Sequence, residues 1–298
     1  MKVKRLILFI LFVGAIPFSL NAYENCPVSD AAYYENCMIE KISSLVSEKK
    51  YSYAIDMLNG YENWFRSQKQ SDVKSIAKIL SGKAAVYYLK GDYEEALKGF
   101  NEVLKYYDTK ADADRIAETK TNISVVLASL NNYNEALQTI GEAEQYYRKA
   151  RKLIDLADVI FNKGIFYYFS GDYPNAFKSF SEAEKIYLAK NLKIRYLSVQ
   201  VLKGIIKAKS GEYRDALYMC ENNMLSFSLK YYCIALANDG LGKREEAEKA
   251  FKKAVEKIDK NISTAIGNSG DQTAQALSEK YSSVFTDYLL FMLKNSMR

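Results

Sequence analysis

The residues of this 298-residue chain with the plainest chemical capacity are four cysteines, Cys26, Cys37, Cys220 and Cys233. Thiols can bridge, bind metal or attack, but no Cys-x-x-Cys spacing occurs, so a redox dithiol and a zinc knuckle both lack their usual pattern. Four cysteines allow three connectivities. Nearness along the chain favours Cys26–Cys37 and Cys220–Cys233, with buried free thiols as the alternative. Histidine is absent, which removes the commonest general base and the commonest metal ligand together. Carboxylates remain, and they fall as neighbours such as Glu94–Glu95 and Glu245–Glu246, in positions that suit helix starts and solvent better than a facing acid–base couple. No glycine-rich phosphate loop and no Asp-rich calcium loop occurs. The expectation is therefore no catalytic residue, no metal site, no cofactor and no enzyme activity.

Whatever chemistry of contact is left must be positioned by a helical body. Hydrophobic residues make up 49% and charged residues 26% of the chain, the balance of a folded domain rather than a disordered one. Proline, the helix breaker, occurs only at Pro17, Pro27 and Pro174. The 25 tyrosines suit helix–helix packing with the hydroxyl reaching water. The first 22 residues, MKVKRLILFILFVGAIPFSLNA, place Lys2, Lys4 and Arg5 before an apolar stretch from Leu6 to Leu20 that ends at the small Ala22. This is the layout of a secretory signal peptide, interrupted by Pro17 and too short to cross a bilayer. Its cleavage would leave no integral membrane span and a mature chain in the periplasm or secreted. Loss of those three basic residues with no acid halves the formal charge of +6, too weak a surplus for nucleic-acid binding.

The internal period is decisive. The segments beginning GDYEEALKGF at Gly91, NNYNEALQTI at Asn131, GDYPNAFKSF at Gly171, GEYRDALYMC at Gly211 and GKREEAEKAF at Gly242 superpose without gaps, and a weaker copy starts at Lys49. Their alanines stand at Ala96, Ala136, Ala176, Ala216 and Ala247, in steps of 40, 40, 40 and 31, with Ala54 a further 42 upstream. Apolar residues follow at i+4 and i+7, as in Phe100 and Val103 or Phe180 and Ala183, one stripe of a helix. Twelve residues before each of the five in-register alanines stands a small residue, Ala84, Ser124, Gly164, Gly204 or Ala235, which lets two helices cross closely. Gly or Asn between them suits a left-handed turn. Asp92, Asn132 and Asp172 suit N-caps, with Asp92–Glu95 and Asn132–Glu135 spaced as capping boxes, and Pro174 suits a first helical turn.

This helix–turn–helix unit resembles the tetratricopeptide repeat, with its small residue and later aromatic in the first helix (Tyr87, Tyr167) and its alanine, large apolar residue and alanine in the second. The resemblance covers roughly residues 30–260. The family's closing proline is missing, Lys83, Lys163 and Lys203 stand where leucine is common, and the period of 40 exceeds the usual 34, which points to longer helices. The copy between Ala216 and Ala247 is nine residues short, and a Cys220–Cys233 bridge would staple two successive units there. The resemblance implies an all-α, right-handed α-α superhelix, a TPR-like solenoid of about five to six helical hairpins. The expected organisation is a signal peptide over 1–22, the array over 23–260, and a linker with a C-terminal helix over 261–298. In that last helix Leu277, Tyr281, Val284, Phe285, Tyr288, Leu289 and Met292 share one side and would cap the open end.

Function in the family resides on the concave face lined by the first helix of each unit. Carried over to this chain, its offsets place Tyr88, Asn122, Val125, Phe161, Asn162, Ile165, Tyr168 and Phe169 in the groove. The carboxylate clamp of chaperone adaptors is matched only by Asn122, since Ser81, Ala85 and Asp158 occupy other clamp positions. The resemblance thus implies a non-enzymatic scaffold that holds a peptide or partner protein in the groove, in a cell-envelope or secretion assembly. A second reading is an accessory subunit that oligomerises through its convex face or C-terminal helix.

Overall fold

The computed structural model describes residues 31–67 and 73–269 together with Asp287 and Met292. The leader, Cys26 and the rest of the segment expected to form the C-terminal helix lie outside the described residues. Twelve helices and no strand are present among the described residues: α1 (Ala31–Ser47), α2 (Tyr51–Ser67), α3 (Val73–Lys90), α4 (Tyr93–Leu104), α5 (Ala113–Ser129), α6 (Tyr133–Lys149), α7 (Leu153–Phe169), α8 (Tyr173–Ala189), α9 (Lys193–Lys209), α10 (Tyr213–Glu221), α11 (Ser228–Gly240) and α12 (Arg244–Ser269). They pair as six antiparallel hairpins, α1/α2 through α11/α12.

From α5 to α9 each helix has 17 residues and each connection three, which is the origin of the 40-residue period. Every such connection closes the same way. In the Gly171 turn the Asp172 N–H donates to the Tyr167 carbonyl at 2.8 Å and the Gly171 N–H to the Tyr168 carbonyl at 3.1 Å, with Gly171 at φ 85°. These two bonds satisfy carbonyls that the helix end would leave bare. The turns between hairpins use the same geometry with Arg151 at φ 55° and Asn191 at φ 54°, so sequence marks the turns inside hairpins with glycine or asparagine more plainly than those between them. Of the expected N-caps only Asp172 bonds as one, accepting from the Asn175 N–H at 3.1 Å. The capping boxes at Asp92 and Asn132 do not form; Asp92 instead takes the Lys90 ammonium at 2.6 Å, a stronger charge-assisted contact.

The alanines that revealed the repeat, Ala54, Ala96, Ala136, Ala176, Ala216 and Ala247, are all wholly buried. Complete burial leaves little room beside each of them. A Cβ added to Gly164 would lie 2.7 Å from the Phe180 ring, which is itself wholly buried. Gly164→Ala is expected to destabilise the protein by about 1–3 kcal/mol, read from the urea midpoint. No loss of stability would show that the α7–α8 crossing has slack.

The chain divides into two compact units, the first ending at Asp108 and the second starting at Thr109, a boundary that falls inside the array expected over 23–260. In the first unit Met38, Leu45, Ile55, Leu58, Tyr61, Ile79 and Val86 form one core under α1–α3. In the second, the core under α9, α11 and α12 gathers Val201, Ile205, Tyr232, Phe251 and Ile258. The shortened copy shows as α10, with 9 residues, and α11, with 13. Between them Asn223 holds the loop, its amide donating to the Leu197 carbonyl at 2.7 Å and its side-chain oxygen accepting from the Leu225 N–H at 3.0 Å.

One boundary differs from expectation. The linker expected from Asn261 does not open there, because α12 runs on to Ser269 through Gly267. Ile262, Ala265 and Ile266 continue the spacing set by Ala254 and Ile258, and one interior glycine costs a helix only about 1 kcal/mol. Most of the segment expected to cap the open end lies outside the described residues; its Asp287 accepts from Lys209 of α9 and Tyr232 of α11.

Candidate binding face

Within the second unit the first helices are α5, α7, α9 and α11, and α7 carries most of the expected groove residues. One side of α7 is sealed: Leu156, Ala157, Ile160 and Gly164 are buried. On the other side Asn162, Ile165 and Tyr168 are half-buried and Phe169, at the last turn, is 50% exposed. Their rings form a small aromatic group, with Tyr168 5.3 Å from Phe169 and 5.6 Å from Tyr173 between centroids.

The other expected residues divide. Phe161 turns into its own hairpin, 5.6 Å from the Phe180 ring and 6.4 Å from that of Tyr187. Asn122 is buried on α5, which leaves little of it to meet a ligand, and Val125 beside it is half-buried. Tyr88 belongs to the first unit, where its ring lies 5.5 Å from Tyr93.

The lysines that replace the family's leucine have partners across hairpins. Lys163 of α7 meets Glu144 of α6 at 2.9 Å, Lys203 of α9 meets Glu184 of α8 at 2.7 Å, and Lys83 of α3 meets Glu62 of α2 at 3.5 Å. Each joins a first helix to the second helix of the preceding hairpin. Burial works against the Glu144 charge, but hydrogen bonds from Arg148 and Lys163 prevail and hold its carboxyl below the ordinary range.

A deeper cluster lies at the start of α7. Asp158, 5% exposed, accepts from the Tyr187 hydroxyl of α8 at 2.8 Å and from the Arg195 guanidinium of α9 at 2.5 Å. Burial pushes the Asp158 carboxyl up to about 6, opposed by the Arg195 charge and the two donors. The Arg195 head also lies 5.7 Å from the Tyr187 ring centre. These contacts tie three helices together. Among the described residues no group of three His, Cys, Asp or Glu is placed to hold a metal, and no helix is long and apolar enough to cross a membrane.

Two of the four cysteines form the expected staple. Cys220 of α10 and Cys233 of α11 are bonded, joining the second helix of one hairpin to the first of the next. Cys37 is also in a disulfide; Cys26, its expected partner, lies outside the described residues.

Reasoning from sequence missed three residues, Lys209, Tyr232 and Asp287, that meet beside the core against which Tyr168 packs. Lys209 of α9 lies 3.4 Å from the Asp287 carboxylate, and the buried Tyr232 hydroxyl of α11 donates to the same oxygen at 2.5 Å. The signal was available. Lys209 stands five places after Gly204, as Phe169 does after Gly164, and Tyr232 stands three before Ala235, as Phe161 does before Gly164. Carrying the α7 offsets one and two hairpins onward would have named both.

Two tetratricopeptide-repeat family models match the sequence, one over residues 75–153 and the other over 231–256. The chain carries tetratricopeptide repeats. Solved structures share the fold of this repeat protein. The crystal structure of aspartyl phosphate phosphatase F from Bacillus subtilis is 15% identical, with a TM-score of 0.66 over 89% of this chain and 69% of that one. NprR in complex with its cognate peptide NprX is 16% identical, with a TM-score of 0.58 over 91% and 79%. BtubC (BKLC) from P. vanneervenii is 15% identical, with a TM-score of 0.54 over 77% and 92%. No curated protein matches the sequence. At these identities the likeness is one of fold.

Proposed function

We propose that this tetratricopeptide-repeat protein is an exported, non-enzymatic scaffold that holds a peptide or partner helix on the first-helix face of its second unit, in the periplasm or outside the cell, within an envelope or secretion assembly. The observation that carries the reading is the open side of α7, where Phe169 stays 50% exposed beside half-buried Asn162, Ile165 and Tyr168, while the opposite side of the same helix is sealed. Partly open aromatic rings next to amides and hydroxyls are the composition that protein-binding surfaces favour. A related fold holding a peptide, as in NprR with NprX, supports the same use. Export rests on the basic-then-apolar leader and on the Cys220–Cys233 bridge, since structural disulfides persist in oxidising compartments.

Affinity capture with the mature chain from its own envelope fraction tests the reading. Phe169→Ala and Asn162→Ala change exposed or half-exposed groups and leave the sealed side of α7 intact. The double variant is expected to recover the partner with affinity reduced about tenfold or more, as loss of an aromatic anchor does. Equal recovery by wild type and variant would overturn the assignment to this face.

A further inference from the structure

We infer that Lys209, Tyr232 and Tyr168, contributed by the first helices of three successive hairpins, form a carboxylate-recognition seat, that the chain's own Asp287 fills it as an internal stand-in, and that the partner helix binds by inserting an acidic side chain in its place. This rests on the scaffold reading and specifies what the face recognises.

The seat is built from groups that would otherwise be costly there. The Tyr232 ring is buried, 1% exposed, and packs 6.5 Å from Phe251, so the fold fixes the direction of its hydroxyl. Lys209 lies 5.8 Å from the centre of the Tyr232 ring with its side chain only 22% exposed, so its ammonium has left most of its water and gains from an anion. Both converge on one oxygen of Asp287. Tyr168 supplies the apolar wall, packing from the α7 side against the core that holds Tyr232; burial first, then the neighbouring Tyr173 and Asp287, push its hydroxyl up. A hydroxyl donor, a cation and a second aromatic rim select a carboxylate that arrives on an apolar support.

The C-terminal segment has that character in its sequence. Asp287 is the single acid between Lys280 and Arg298, set among Val284, Phe285, Tyr288, Leu289 and Leu290, and it is helical and half-buried. The expected occupant is therefore an amphipathic helix with one acid in its apolar side, and the tail that imitates it competes with it. Binding of the partner and release of Asp287 draw on the same contacts, so their free energies oppose each other.

The probe is a synthetic peptide of residues 278–298, added to the full mature chain, with circular dichroism confirming the fold of each variant. Asp287→Ala in the chain empties the seat, and the peptide is expected to bind this variant about tenfold more tightly than wild type, whose own Asp287 occupies the seat. A peptide carrying Asn at position 287, or the chain variant Lys209→Met combined with Asp287→Ala, is expected to lose that gain. Equal peptide affinity for wild type and Asp287→Ala, or no binding to either, overturns the seat. If the partner captured by the scaffold depends on Phe169 and Asn162 but is indifferent to Asp287→Ala, the binding face stands and the self-occupied seat falls.

Discussion

Replacing Arg195 with methionine is expected to cost about 3–5 kcal/mol of folding free energy, because it strands the Asp158 carboxylate in the interior. Asp158 is 5% exposed and has two partners, the Tyr187 hydroxyl at 2.8 Å and the Arg195 guanidinium at 2.5 Å. With the guanidinium gone, one neutral donor must answer a full charge that water cannot reach. Asp158→Asn, which keeps the shape and removes the charge, should cost less than half as much. The pH dependence supplies the sign. Burial already holds the folded carboxyl at about 6, above its ordinary 3.8, so the folded state binds this proton more readily than the unfolded one. The stability this contributes is complete below the ordinary value and is lost as pH rises through about 6. Without Arg195 the folded carboxyl moves higher still. The gap between wild type and Arg195→Met should therefore be widest above pH 7 and shrink toward pH 5, as seen in urea midpoints at the two pH values. A deficit that does not change with pH would mean that Arg195 acts through packing alone.

Loss of the Cys220–Cys233 bridge should cost about 3 kcal/mol, the value for closing a loop of this size in the unfolded chain, since the two cysteines are 13 residues apart. The bridge sits where the array is thinnest in helix, between the 9 residues of α10 and the 13 of α11. It also explains a glycine. A Cβ on Gly204 of α9 would stand 2.5 Å from the Cys220 sulfur and 2.9 Å from that of Cys233, so the third helix can reach the staple only without a side chain. Gly204→Ala alone is expected to destabilise by about 1–3 kcal/mol. In a Cys220→Ala/Cys233→Ala background both sulfurs are gone, and the same substitution should cost markedly less. Strict additivity of the two changes would show that Gly204 is constrained by something other than the bridge.

Much of this architecture is written in local sequence. A helix buries the stripe its own spacing defines, so the alanines at 40-residue steps, the small residues twelve positions earlier and the apolar residues four and seven later announce hairpin, crossing point and core, and all six alanines are wholly buried. Glycine at positive φ in the Gly91, Gly171, Gly211 and Gly242 turns is equally local, because only the backbone at that residue is concerned. The nine missing residues before Ala247 and the pairing of Cys220 with Cys233 follow from counting.

The tertiary structure decided matters that depend on what lies across from a residue. Phe161 and Phe169 look alike in sequence, but the first faces Phe180 within its hairpin and the second faces outward. Lysines at leucine positions read as departures from the repeat until Glu144 and Glu184 of the preceding hairpins stand opposite them. Arg151 and Asn191 take left-handed turns without glycine, since packing of the flanking helices outweighs the local strain. Asp287 joins Lys209 and Tyr232 from 78 and 55 positions away. Sequence periodicity carries information about the face a helix hides, because hiding is a property of spacing; the partner that a polar group finds depends on which distant helix arrives beside it, and only stacking settles that.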